Sequence, residues 1–328
     1  MEIDPNSAFG PVWLITNGAT GSDVQARGVA EALGAHHELF HVDPKAPWRW
    51  LAPWGPVAPG QVGPGGRFAP PWPRLLISVG RQAAPYARAI RRASCGETFT
   101  VALQDPKTGA ASFDFIWAPE HDPVSGPNVL KTLTSPHRLN AARLKTEGDK
   151  ARAELAPLPR PFVLLLIGGP NGVYEFDLAQ LDRLLALTDR AVGDGTVLAT
   201  ASRRTPPEFV QRLRDWAASR SARLYDGDGS NPYAGWVAVA DSVIVTADSV
   251  NMAGEAASTG KPVHVFHPPG AEGSKFDRYH QALAATGATR PFEGRLDAWA
   301  YAPVDATTYI ADALRRRLAE RGVILNAE

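Results

Sequence analysis

Between residues 243 and 267 the chain reads as an apolar run, a polar turn, a short helix, a stop and a second apolar run. Val243-Ile244-Val245-Thr246 leads through Ala247-Asp248-Ser249 into a helix that carries Glu255. Gly260-Lys261-Pro262 ends it, and Val263-His264-Val265-Phe266 follows. Two short apolar strands joined by a helix pair side by side in parallel, with the helix crossing one face of the sheet. Strands without polar alternation are buried on both faces, so helices must cover both sides. This one stretch therefore commits its half of the chain to a parallel α/β sheet.

The same alternation runs through the rest. Residues 1–10 read as polar and loose. Pro11 to Thr16 is an apolar strand, Asn17-Gly18-Ala19-Thr20-Gly21-Ser22-Asp23 a glycine turn, and Val24 to Leu33 a helix closed by Gly34. Strands are expected at 39–42, 74–80, 98–103 and 113–118, with a helix from Arg81 to Arg92 and an Ala-rich charged helix over 141–156. Leu158-Pro159-Arg160-Pro161 reads as a hinge. The pattern then restarts: strand 162–167, turn Gly168-Gly169-Pro170-Asn171-Gly172, helix 177–192, strand 196–200, a helix opened by Pro206, a short strand at 223–225 and a helix from Asn231 to Ala240. A last amphipathic helix spans 305–321. At 328 residues the chain is long for one core and fits two. The expected fold is α/β, two Rossmann-like domains with parallel sheets and an interdomain cleft, split as 1–157 and 158–304, with helix 305–328 packing back on the first. Strand 12–16 corresponds to strand 162–167, and strand 75–79 to strand 243–247. In such sheets ligands bind at the carboxyl ends of the strands.

Residues 44–73 break the pattern. They are dense in proline and hold Trp48, Trp50, Trp54 and Trp72, a composition that argues against regular helix or strand. One reading is a long loop whose rings pack on the domain; the other is an interfacial element that grips a lipid-like acceptor or a bilayer. Charge points away from nucleic acid: 34 basic and 34 acidic residues cancel, and the basic groups at Arg88, Arg91 and Arg92 and at Arg315-Arg316-Arg317 lie on helices. Cys95 is the single cysteine, which suits a reducing compartment. No signal peptide and no membrane span is expected, which gives a cytoplasmic protein with the option of peripheral attachment to the inner face of a membrane.

Several strand ends carry groups suited to an anion. The backbone N–H groups of Gly168 and Gly169 can approach a phosphate closely, with Asn171 beside them. Ser202, Arg203 and Arg204 follow another strand, and paired guanidinium groups suit a diphosphate. Thr246 to Ser249 precede a helix start with its partial positive charge. Asp248 is expected to cap that helix, because a free carboxylate would repel a phosphate. Ser249 is then left for phosphate, Glu255 for a ribose, and Lys275 for a leaving diphosphate. In the first half Glu120, His121 and Asp122 are the catalytic candidates, His121 as general base. Asn17, Gly18, Thr20, Ser22 and Arg81 are the acceptor-side candidates. No spacing calls for a metal or a dinucleotide cofactor.

This set of motifs resembles glycosyltransferases of the GT-B fold: a Gly-Gly turn opening the second half, and Thr246-Ala247-Asp248-Ser249 followed by Glu255-Ala256 and Gly260-Lys261-Pro262. More narrowly, the chain resembles the plant mitochondrial-fission-factor family, of the elongated-mitochondria type, and its bacterial homologues. The residues that carry this are Thr16-Asn17-Gly18, Ser78-Val79-Gly80-Arg81, Pro119 to Asp122, Gly126 to Val129, Thr200 to Pro206, Asn231-Pro232-Tyr233 and Thr246 to Pro262. The sequence departs at Asn17, where the family pattern has Asp, so no charged role carries over there. The resemblance implies the two-domain fold, a nucleotide sugar held without metal, and for the plant member a part in organelle fission through a partner protein. Two readings follow. One is a protein that binds a UDP- or GDP-type nucleotide sugar and transfers the sugar to an unnamed, lipid-linked or other acceptor. The other is a non-catalytic protein that binds a membrane or a partner.

Overall fold

The computed structural model describes residues 12–220 and 222–322. The readings of residues 1–10, of Pro11 as a strand start and of 323–328 as helix lie outside them. The first unit runs β1 (Val12–Thr16), α1 (Thr20–Ala32), β2 (His37–His41), α2 (Trp48–Leu51), β3 (Leu75–Val79), α3 (Ala84–Ala93), β4 (Phe99–Leu103), β5 (Phe115–Pro119) and β6 (Val129–Thr132). The second runs α4 (Ala141–Leu155), β7 (Phe162–Ile167), α5 (Leu178–Val192), β8 (Thr196–Ala201), α6 (Pro207–Arg220), β9 (Arg223–Tyr225), α7 (Tyr233–Val239), β10 (Ser242–Thr246), α8 (Val250–Ala257), β11 (Val263–Phe266), α9 (Lys275–Ala285) and β12 (Thr289–Pro291). The chain then ends in α10 (Ala306–Glu320), which belongs to the first unit.

Each unit holds one six-stranded sheet, ordered β2-β1-β3-β4-β5-β6 and β9-β8-β7-β10-β11-β12, and every strand pairing is parallel. Counted from its own first strand, the second sheet has the order 3-2-1-4-5-6 of a dinucleotide-type Rossmann fold, and the first begins 2-1-3. In both, the strand order reverses beside the first strand, at β1/β3 and at β7/β10. Every residue of β1, β3, β4, β7 and β10 is buried. Their predominantly apolar sequences fit this, since both sheet faces are covered, with Thr16, Ser78, Thr100, Ser242 and Thr246 buried among them. The edge strands β2 and β9 are partly exposed and carry His37, Glu38, His41 and Arg223.

Helix α10 completes the first core: Ile310, Ala311, Leu314 and Leu318 lie in one buried cluster with Leu14, Val29, Leu33 and Val101. The His137 N–H donates to Thr307 Oγ1 at 2.8 Å and the Thr307 hydroxyl returns a bond to the His137 carbonyl at 3.2 Å. The same segment presses on α1, where a Cβ on Gly28 would stand 2.2 Å from the His137 carbonyl oxygen.

Two local expectations are corrected. The boundary between units falls between Asn140 and Ala141, not near residue 157, because α4 packs on α7 of the second unit. Glycine makes that approach possible: a Cβ on Gly235 would lie 2.8 Å from the Glu147 carbonyl, and one on Gly148 2.8 Å from Ala238 Cβ. The proline-rich stretch holds a one-turn helix, α2, despite its composition. The short strands β6 and β12 were not anticipated; with four and three residues they carry too little pattern to stand out. Among the described residues no helix is long and apolar enough to cross a membrane.

Candidate functional site

The switch point of the second sheet sets the ends of β7, β8 and β10 next to one another. There the Gly168 N–H donates to Thr246 Oγ1 at 2.9 Å, and the Gly169 N–H donates to Asp248 Oδ2 at 2.8 Å. The Arg204 guanidinium reaches the same Asp248 oxygen at 2.9 Å. Thr205 ties the β8 turn to the glycines, its hydroxyl donating to the Gly168 carbonyl at 2.6 Å. Ser202 orders that turn by accepting the Arg204 N–H at 3.1 Å. Asn171 folds the other turn, its Oδ1 accepting from Val173 N at 3.0 Å and Tyr174 N at 3.2 Å. Gly168, Gly169, Asn171, Ser202, Arg204, Thr246 and Asp248 are thus brought together.

Asp248 does not cap α8. Ser249 is the N-cap residue and makes no side-chain capping bond, while the Asp248 carboxylate turns back to the glycines. The reason is steric as much as electrostatic: a Cβ on Gly168 would sit 2.0 Å from Asp248 Oδ2, so only glycine admits the carboxylate there. The Asp248 side chain is fully buried while that of Arg204 is 48% exposed. Burial pushes the Asp248 pKa up, against the bonds from Thr246, Gly169 and Arg204 that favour the carboxylate. Its second oxygen, Oδ1, is buried without a hydrogen-bond partner, as are Tyr174 Oη and His280 Nδ1.

The consequence is that the amides of the Gly-Gly turn are already engaged. Beside them lie the uncapped start of α8 and the Arg203-Arg204 pair, both arginines being exposed, whereas Ser249 is buried. Glu255, on the second turn of α8, accepts the Tyr233 hydroxyl at 2.6 Å. Burial raises its pKa; Tyr233 and the charge of Arg143 oppose the rise. Tyr233 stands in the sequence only within the motif Asn231-Pro232-Tyr233, and nothing local shows that its ring reaches across to α8. Lys275 opens α9 after the cap Ser274, its ammonium 5.5 Å over the Phe276 ring.

In the sequence Lys261 reads only as part of a helix stop. Its ammonium donates to the Val237, Ala238 and Ala240 carbonyls at 2.7, 2.6 and 2.7 Å, closing the C-terminal end of α7. Burial lowers its pKa from 10.5 to about 8.

In the first unit the turn after β1 is organised by Asp23. Its carboxylate accepts the Thr16 hydroxyl at 2.5 Å and pairs with His41 Nε2 at 2.9 Å. Asn17 and Gly18 form the turn, with the Ala19 N–H on Asn17 Oδ1 at 3.1 Å and Gly18 at φ +77°. Thr20 and Ser22 are not turn residues; they lie in the first turn of α1. The Arg81 guanidinium is engaged by the Trp50 and Ala52 carbonyls, which sets it to holding the proline-rich segment. Glu120, His121 and Asp122 follow β5. His121 is 73% exposed and its Nε2 stands 3.8 Å from Asp122 Oδ1, beyond hydrogen-bond range.

Two six-stranded parallel α/β units, with polar and charged groups gathered at the switch point of the second, define a protein of the GT-B-like class. Solved structures show the same fold. UDP-GlcNAc 2-epimerase from Methanocaldococcus jannaschii superposes with a TM-score of 0.56 at 8% identity, over 94% of this chain and 99% of that one. The Neisseria meningitidis UDP-GlcNAc 2-epimerase bound to UDP-GlcNAc gives 0.51 at 12% identity, over 97% and 94%. The chain belongs to the mitochondrial fission ELM1 family, whose sequence profile matches residues 20–318. It is 31% identical over 283 residues to the mitochondrial fission protein ELM1 of Arabidopsis thaliana, a match over 76% of this chain and 65% of the plant protein's length.

Proposed function

We propose that the second unit binds a nucleoside diphosphate sugar and that the chain transfers the sugar, without a metal, to an acceptor held by the first unit. The observation that carries this is the exposed Arg204 beside the uncapped start of α8, both at the β7/β10 switch point. The Neisseria structure holds UDP-GlcNAc on a fold of this kind, in keeping with a UDP- or GDP-type donor. In this reading the diphosphate lies on the first-turn amides of α8, Ser249 and the Arg203-Arg204 pair, with Lys275 as a further cation. The Glu255 carboxylate accepts from ribose hydroxyls, and Tyr233 fixes its orientation. On transfer, the bond between the anomeric carbon and the β-phosphate oxygen breaks, and the arginines take up the charge that develops on the leaving diphosphate. The acceptor hydroxyl's proton goes to a base, for which His121, with Glu120 and Asp122 beside it, is the candidate. Asn17, Gly18, Thr20 and Ser22 are the acceptor-side polar groups. A lipid-linked acceptor would bring the chain to the inner face of a membrane.

The test is ligand-induced stabilisation. UDP, GDP or their sugars should raise the melting temperature, by about 2.7 kcal/mol of stability at a hundredfold excess over Kd. Arg204→Ala and Tyr233→Phe should each reduce the shift, and His121→Ala should abolish turnover while leaving it intact. No shift with any nucleotide at saturating concentration removes the proposal.

One observation favours a non-catalytic, partner-binding reading. The chain's own Asp248 carboxylate occupies the Gly169 amide and Arg204, the groups an incoming phosphate would seek. Asp248→Asn separates the two: it relieves the competition and should tighten nucleotide binding if a donor is bound at all.

A further inference from the structure

The proline-rich segment takes no part in the donor site, yet it carries the two most exposed large apolar side chains of the described residues, Trp50 and Trp54, with Leu51 between them. Trp50, Leu51 and Trp54 are 73%, 47% and 65% exposed. They stand on and just after α2. Trp72 differs, its ring packed on Trp13 at 6.4 Å between centroids, and Trp48 is half-buried.

The turn that presents these side chains is held rigidly. Arg81 donates to the Ala52 carbonyl and, at 3.0 Å, to that of Trp50. Arg88 donates to the Pro53 and Trp54 carbonyls at 2.9 and 3.2 Å. The Trp54 indole N–H donates to the Lys107 carbonyl at 2.9 Å. Carbonyls of residues 50, 52, 53 and 54 are therefore satisfied from within the protein. The turn can leave bulk water without stranding them, and its apolar tips are ordered before anything binds.

Charge selects the occupant. Residues 44–73 contain Lys45, Arg49 and Arg67 and no Asp or Glu. Lys45 and Arg49 are exposed, Arg49 directly between Trp48 and Trp50. Aromatic rings with an apolar body and a polar edge, flanked by cations, match the interfacial layer of a bilayer with anionic headgroups. We propose that α2 and the turn after it seat the first unit on an anionic phospholipid surface. Trp50, Leu51 and Trp54 enter the headgroup layer, and Lys45 and Arg49 meet lipid phosphates. The inference stands on this segment alone and holds whether or not the second unit binds a donor.

The experiment is flotation of the full chain with vesicles of phosphatidylcholine, alone or mixed with phosphatidylglycerol. The wild type floats with the anionic vesicles, less so as salt is raised, and its tryptophan emission shifts to the blue. Trp50→Ser/Trp54→Ser lowers the partition coefficient by about tenfold or more. Trp54→Ser also removes the bond to the Lys107 carbonyl, so Trp50→Ser alone is the folding control: its ring is 73% exposed, and the variant keeps the wild-type melting temperature while floating less than the wild type. Lys45→Glu/Arg49→Glu abolishes the preference for anionic vesicles. A wild type that stays with the pellet beside anionic vesicles overturns the proposal, as does a double tryptophan variant that floats like the wild type. Equal flotation with phosphatidylcholine alone overturns the choice of an anionic surface.

Discussion

Gly169→Ala will strip the second unit of about 3 kcal/mol or more of stability, lowering its melting temperature by roughly 6 to 12 °C. The added methyl would stand 2.2 Å from the Arg204 carbonyl oxygen and 2.7 Å from its carbon. Those are backbone atoms in a turn that cannot yield. Thr205 Oγ1 holds the turn to the Gly168 carbonyl at 2.6 Å and accepts the Ser202 N–H at 2.8 Å. Relief would therefore have to come from parting β7 from β8, which lie paired along their whole length. Gly21→Ala is the control. It lies near the start of α1, and a Cβ there meets nothing within 4 Å. Alanine should be neutral or stabilising there by up to about 1 kcal/mol. Urea denaturation of the two variants measures both. A Gly169→Ala protein within about 0.5 kcal/mol of the wild type would mean that the strand ends are looser than their hydrogen bonds indicate.

Lys261→Met will cost about 2 kcal/mol, the net of three lost hydrogen bonds to carbonyls and the relief of a buried charge. The loss falls on α7, whose C-terminal carbonyls Lys261 closes, and through α7 on the seating of α4. The effect depends on pH with a definite sign. The folded ammonium titrates near 8 and the unfolded one near 10.5, so between these values the unfolded chain binds more protons. The stability contributed by this side chain therefore grows as pH rises from about 8 to 10.5 and is lost as pH falls through 8. Methionine has no such dependence. The gap between wild type and variant, followed by denaturation across that window, should widen toward higher pH. A constant gap would show that the Lys261 pKa is not depressed.

The glycine turns and polar strand ends are legible in the sequence, because the parallel α/β pattern places them at carboxyl edges. Their partners are not. The local rule that Asp caps helices gives Asp248 to the helix it precedes, but the turn after the neighbouring strand β7 supplies the donor it takes, the Gly169 amide. The local pattern offers Glu255 to a ribose, yet its carboxylate is engaged by Tyr233, 22 residues earlier in the chain. Arg81, by its place after a strand an acceptor-side candidate, clamps a segment some 30 residues before it. In each case the deciding contact joins residues far apart in sequence, which periodicity and propensity do not register.

Sequence alone determined the two parallel sheets, since strands apolar on both faces have no other stable arrangement than between layers of helices. It also determined which loops lie at the carboxyl edges and that segment 44–73 is set apart by its prolines and tryptophans. Only the tertiary structure decided that α4 belongs with the second unit, that the Gly-Gly turn holds the chain's own carboxylate, and that Trp50 and Trp54 face outward while Trp72 packs inward. The physical reason is range. A strand's burial is written in its own few residues, whereas the partner of a buried amide or a clamped carbonyl is chosen by which chain segments the fold happens to bring within 3 Å.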